Sequence, residues 1–195
     1  MPAPRDVKAL NRSVIEEFRA NNGQVTHPGL SSIPLVLLTT TGARTGRAHT
    51  TPLAYFTDDL GPGRIFVWAS AMAAPSHPAW YYNLAANPRV TIELRTSAGM
   101  AERFDGTATT ATGTERDRLL GILASTRPDA AAHQDQTSRE IPLIVISYHE
   151  SGSATKPLAL RHARPPLFTH QARQAARPAA SPVRRAGSGA VSVRG

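Results

Sequence analysis

Pro34-Leu-Val-Leu-Leu-Thr-Thr-Thr-Gly-Ala-Arg-Thr-Gly-Arg-Ala-His-Thr-Thr-Pro-Leu53 runs from an apolar segment, through glycine, threonine and cations, into a second β-rich segment. A tight turn between two strands needs only about two to five residues. Thr39–Thr51 instead offers a run of hydroxyls, two glycines and three basic side chains, Arg44, Arg47 and His49. Glycines let a backbone approach a ligand closely, and amides, hydroxyls and guanidinium groups together hold oxyanions. The stretch therefore predicts a hairpin that carries a small-molecule anion site.

Working outward, Pro34–Thr40, Thr50–Thr57 and Arg64–Ser70 read as three antiparallel strands, the last two joined by Asp58-Asp59-Leu60-Gly61-Pro62-Gly63. Ser76 and Pro78 signal a helix over about residues 77–86, and Asn87-Pro88 ends it. Strands follow at Val90–Arg95 and Met100–Ala108, then a helix from Thr114 to Ser125 with Glu115 and Asp117 in its first turn, then a closing apolar strand, Pro142–Tyr148. Strands that meet in hairpins, with helices inserted or appended, predict a β-barrel with peripheral helices, an α+β architecture, rather than a doubly wound sheet. Ahead of the barrel, Val7, Leu10, Val14, Ile15 and Phe18 recur at three- and four-residue steps, predicting an amphipathic helix over 5–20 that stops at Asn21-Asn22-Gly23. Its apolar face either packs on the domain or meets a membrane surface or partner.

The chain divides by composition into an N-terminal helical segment, 1–24, a barrel domain, 25–150, and an extension, 151–195. The net charge of +8 resides in the extension: residues 1–150 balance 14 Lys+Arg against 14 Asp+Glu, whereas 151–195 carry 8 against none. A neutral core disfavours nucleic acid as partner. The extension, rich in Ala, Pro and Arg with almost no apolar periodicity, is expected to be disordered, with contact to an acidic membrane as its sharper reading. The chain has no cysteine, no leader-like start and no apolar run of membrane-spanning length, so the expected location is cytoplasmic, or peripheral at the membrane. No histidine pair has metal-ligand spacing, and no metal is expected.

Leu37-Leu38-Thr-Thr-Thr-Gly-Ala-Arg-Thr-Gly46, Thr51-Pro52-Leu53, Ala69-Ser70, His77-Pro-Ala-Trp-Tyr-Tyr-Asn-Leu-Ala-Ala-Asn-Pro88 and Arg139-Glu-Ile-Pro142, in this order, resemble the deazaflavin-dependent nitroreductase family over roughly residues 10–150. The resemblance implies a split β-barrel of the flavin-binding, pyridoxamine-phosphate-oxidase-like type. It also implies coenzyme F420, an 8-hydroxy-5-deazaflavin that donates a hydride and carries a phospholactyl-oligoglutamate tail; FMN is the less favoured cofactor. In that frame, amides around Gly42 and Gly46 and the hydroxyls of Thr41 and Thr45 face the phosphate with Ala43 and Arg44. His49 and Ala71 stand where the family carries cations, and Arg47 is a possible substitute for them. Thr50, Thr51, Pro52, Leu53 and Ala54, with Trp68, Ala69 and Ser70, form strand walls around the ring. Ala79, Trp80, Tyr81, Tyr82 and Asn83 lie beside it, although Trp80, Tyr81 and Leu84 equally suit a helix-to-barrel core face.

On the acceptor side, Ala130 and His133 occupy places where nitroimidazole-reducing members carry tyrosines, although a lone histidine there is more often a solvated side chain. The implied activity is hydride transfer to an electron-poor acceptor, namely a quinone, an activated enone or a nitroaromatic. Ser70 is the candidate donor to the charge that develops on the acceptor. The alternative is a barrel that binds a deazaflavin, a flavin or an apolar ligand without turnover.

Overall fold

The structure, a computed structural model, describes residues 6–149. The extension at 151–195 and its expected disorder lie outside the described residues, as does the start of the 1–24 segment. Six strands, β1 (Leu35–Thr41), β2 (Ala48–Thr57), β3 (Arg64–Trp68), β4 (Arg89–Arg95), β5 (Ala101–Thr110) and β6 (Leu143–Tyr148), close into an antiparallel barrel in the order β1-β2-β3-β6-β5-β4. Helix α1 (Val7–Ala20) precedes the barrel, α2 (Ala79–Ala86) is inserted between β3 and β4, and α3 (Gly113–Thr126) between β5 and β6. The sequence pattern does not signal α4 (Pro128–Ala131) or the 3-10 turn Gln134–Gln136 that follow α3.

Both faces of β1 are buried, which is why it reads as a continuous apolar run. Val36 and Leu38 point into the barrel with Ile65, Val67, Ile92, Phe104 and Ile146, and Trp80 and Leu84 of α2 complete that core. Leu35 and Leu37 face outward and meet Val14 and Phe18 of α1. Fully burying a side chain of this size stabilises by about 1.5–3 kcal/mol, so these residues dock α1 on the barrel. Asp6 caps α1 by accepting from the Ala9 N–H at 2.9 Å, and Arg19 ties its last turn to Glu93 of β4 through two hydrogen bonds. The apolar face that the sequence left open to a membrane is thus covered by the barrel, although Val7 remains 51% exposed. No helix among the described residues is long and apolar enough to cross a membrane.

Three expectations are corrected. The hairpin register pairs Thr41 with Ala48, so the loop is only Gly42–Arg47: β1 runs on to Thr41, and β2 starts at Ala48, ahead of the expected Thr50, and takes in His49. β-Branched threonines extend the ladder, and the Thr39 and Thr50 hydroxyls bond across it at 2.8 Å. Strand β3 stops at Trp68 rather than Ser70, because Ala71, Met72 and Ala73 all adopt left-handed backbone angles (φ 48°, 55° and 58°). Helix α2 begins at Ala79, with extended Pro78 at its N-cap and no side-chain capping bond, so Ser76 does not cap it.

Candidate functional site

The Gly42–Arg47 loop folds back on itself. Gly42 N–H donates to Arg47 O and Gly46 N–H to Gly42 O, both at 2.8 Å, and Gly46 has a positive φ of 67°. Ala43 N–H donates to Asn83 Oδ1 of α2 at 3.1 Å, and Asn83 Nδ2 donates to Thr40 Oγ1 at 3.1 Å. Asn83 therefore pins the loop to the barrel with both ends of its amide. A Cβ on Gly42 would stand 2.8 Å from Thr45 Oγ1 and 3.0 Å from His49 Nε2, so glycine is needed for the loop to close beneath those side chains.

The glycine amides that the sequence nominated for an anion are consequently committed inside the loop. Among the described residues, the amides of Arg44 and Thr45 have no hydrogen-bond partner, and the guanidinium groups of Arg44 and Arg47 have no carboxylate partner. Arg44 and Thr45, but not Arg47, border a groove of about 470 Å³ lined also by His49, Ala79, Tyr82 and Asn83. Two free amides and the Arg44 guanidinium on one loop match the donor set that a phosphate requires.

A second constellation surrounds Ser70. His133 Nδ1 lies 3.1 Å from Ser70 Oγ, and His133 is half-buried rather than solvated as the sequence suggested. Arg139, which the sequence analysis left without a role, holds the turn that follows Ser70. Its Nη2 donates to Ala69 O at 3.1 Å and to Ser70 O at 2.7 Å, its Nε donates to Ala74 O at 2.8 Å, and its Nη1 faces His77 Nδ1 at 3.0 Å. A guanidinium has only donors, so the His77 nitrogen accepts. Burial, and then the Arg139 charge, hold His77 below its ordinary pKa and favour that neutral ring. Left-handed turns cost L-residues roughly 1–2 kcal/mol per position, and Arg139 offsets that cost by satisfying the carbonyls on either side of Ala71–Ala73.

A series of rings joins the two constellations. The His77 and Tyr81 ring centroids are 4.8 Å apart, Tyr81 and Tyr82 are 6.1 Å apart, and Tyr82 lines the loop groove. The other nominated residues divide. Thr50 and Thr51 line a trough beside α1 that also reaches Ala79, Trp80 and Asn83. Pro52 and Ala54 are half-buried, and Leu53 packs on the barrel core. Trp80 is 7% exposed and belongs chiefly to that core. Trp68 points outward into the cluster formed with Leu119 and Leu123 of α3, and its indole N–H donates to Ala130 O at 3.1 Å. Neither Trp68 nor Ala69, which is fully buried in the barrel core, presents a side chain to the loop groove, and Ala71 stands exposed at the start of the left-handed turn.

The profile of the F420H(2)-dependent quinone reductases matches residues 10–148. Two F420H(2)-dependent quinone reductases of Mycobacterium tuberculosis are 35% identical to the chain over 133 residues, covering 67% of this chain and 84% of each relative. A solved structure described as a domain-swapped dimer is 28% identical, with a TM-score of 0.52, and covers 71% of this chain and 96% of its own.

Proposed function

The chain belongs to the F420H(2)-dependent quinone reductase family, and on that premise we propose that it transfers a hydride from the reduced deazaflavin of coenzyme F420 to a quinone, with activated enones and nitroaromatics as acceptors of the same electron-poor class. When bound, the cofactor supplies the hydride; binding, orientation and charge stabilisation fall to the side chains. Arg44, with the amides of Arg44 and Thr45, holds the phosphate, and Asn83 fixes the loop that presents them. The observation that carries this reading is that those donors are uncommitted within the protein while the neighbouring amides of Gly42, Ala43 and Gly46 are committed.

Hydride addition to a quinone leaves negative charge on an oxygen, and a positioned donor stabilises such charge by about 2.7–4 kcal/mol in a dry site. Ser70 Oγ–H is the donor assigned to it in this reading. With a proton on Nδ1, His133 donates to Ser70 Oγ and leaves the serine hydrogen free for the acceptor. Arg139 acts as a positioning residue, fixing the backbone carbonyls of Ala69 and Ser70. Ala130 contributes its carbonyl to Trp68 and thereby fixes the start of the acceptor-side segment.

The test mixes protein, reduced cofactor and menadione and follows the return of the oxidised deazaflavin absorbance. Protein-dependent turnover is expected. A chromophore that binds without reacting would contradict the reading and favour a carrier, the alternative to which the absence of a cation at Ala71 points.

A further inference from the structure

The loop groove does not end at the loop. Through His49, Ala79 and Asn83 it continues into a trough of about 830 Å³ between α1, β2 and α2. The wall supplied by α1 carries Lys8, Arg12, Glu16 and Arg19. Lys8 and Arg12 are four residues apart, so they stand on one face one turn from each other. Arg19 is neutralised by Glu93. Lys8 and Arg12 have no hydrogen-bond or ion-pair partner among the described residues, and Glu16 is the one carboxylate of the trough wall.

Placement of these cations runs against helix electrostatics. The N-terminal end of a helix carries partial positive charge, which favours acidic side chains in the first turn. Helix α1 has no acidic residue there and places Lys8 there instead. Asp6 at the N-cap already offsets the helix end, so the positive field that faces the trough comes from Lys8 and Arg12 themselves.

We propose that the Lys8–Arg12 face of α1 is a second anion subsite, which takes the carboxylates of the oligoglutamate that follows the cofactor's phosphate. This rests on the phosphate assignment of the Gly42–Arg47 loop, because the trough opens from that loop. Lys8 and Arg12 then supply charge that Ala71 does not.

Binding is measured by titration calorimetry with two forms of the cofactor, one ending at the phospholactyl group and one carrying the oligoglutamate. The wild-type protein is expected to bind the glutamylated form more tightly, by a margin that shrinks as salt is raised. In a Lys8→Ala/Arg12→Ala variant, affinity for the glutamylated form should fall about fivefold, the scale of two exposed charge contacts, with affinity for the shorter form unchanged. Arg12→Glu should lower the glutamylated form's affinity further. Equal affinity of the double variant and wild type for the glutamylated form, or an equal loss for both forms, would overturn the subsite. A wild-type protein that binds neither form would instead overturn the phosphate assignment beneath it.

Discussion

At one end of β2 the Asp58–Gly63 loop draws Arg64 and Arg118 onto the carboxylate of Asp58, which is 6% exposed, at 3.0 and 2.9 Å. At the other end, the Gly42–Arg47 loop holds Arg44 and Arg47 with no carboxylate partner among the described residues. Both are charged hairpin loops with glycines, and composition alone hardly separates them. What separates them is whether the cations are neutralised within the protein. A guanidinium matched by a buried carboxylate belongs to the fold, whereas one left to solvent beside unpartnered amides is available to a ligand. Arg139 is an intermediate case, matched by backbone carbonyls and so holding shape rather than charge.

The contrast breaks first at Asp58. Replacing it with alanine strips a buried partner from both Arg64 and Arg118 and should cost about 3 kcal/mol of stability, read by denaturant unfolding, while cofactor affinity of the folded protein is unchanged. Arg139→Ala comes next: with the left-handed turn released and Ser70 misplaced, hydride transfer to menadione should slow about 10²-fold in stopped flow, with cofactor affinity within about twofold of wild type. Were affinity to collapse along with rate, Arg139 would be holding the binding groove rather than Ser70. Arg44→Ala should weaken cofactor binding by about 1.5–3 kcal/mol, the range for a hydrogen bond to a charged group, with an unaltered unfolding midpoint.

The smallest effect is the acid limb of stability. Burial raises the Asp58 pKa, but hydrogen bonds from Arg118, the Leu60 N–H and Arg64 outweigh it and hold the carboxyl at about 2 against an ordinary 3.8. Because the folded value lies below the unfolded one, the resulting stability is fully present above about pH 4 and is lost as pH falls toward about 2. It amounts to about 2 kcal/mol, and Asp58→Asn should flatten that limb in acid unfolding curves. Cofactor-loop variants should leave the limb as it is.

Much of the barrel was legible because its signals are local. The apolar run of β1, the Asp58–Gly63 turn with its Gly61-Pro62-Gly63 and the Asn87-Pro88 stop each constrain their own neighbourhood. The Gly42–Arg47 loop was legible as a cationic, glycine-bearing hairpin for the same reason. Which of its amides are free was not, since that depends on Asn83, 40 residues away. The left-handed turn at Ala71–Ala73 carries no glycine to announce it and is held by Arg139 from 65 or more residues away. Likewise the contact between Ser70 and His133 spans 63 residues. A lone histidine on a polar segment gives no hint of such a contact. Trp68 was misplaced because strand alternation says that it faces opposite to Val67 and Ala69, but not which side the helices cover.

The central claim, that the uncommitted donors of the Gly42–Arg47 loop recognise the cofactor's phosphate, is tested most directly by a thermodynamic cycle. Calorimetry would compare wild type and Arg44→Ala, each against coenzyme F420 and against the deazaflavin lacking its phospholactyl-glutamate chain. The account predicts that the two deletions are coupled, with removal of Arg44 costing about 1.5–3 kcal/mol when the phosphate is present and almost nothing when it is absent. Losses that simply add, with no coupling between Arg44 and the phosphate, would contradict it.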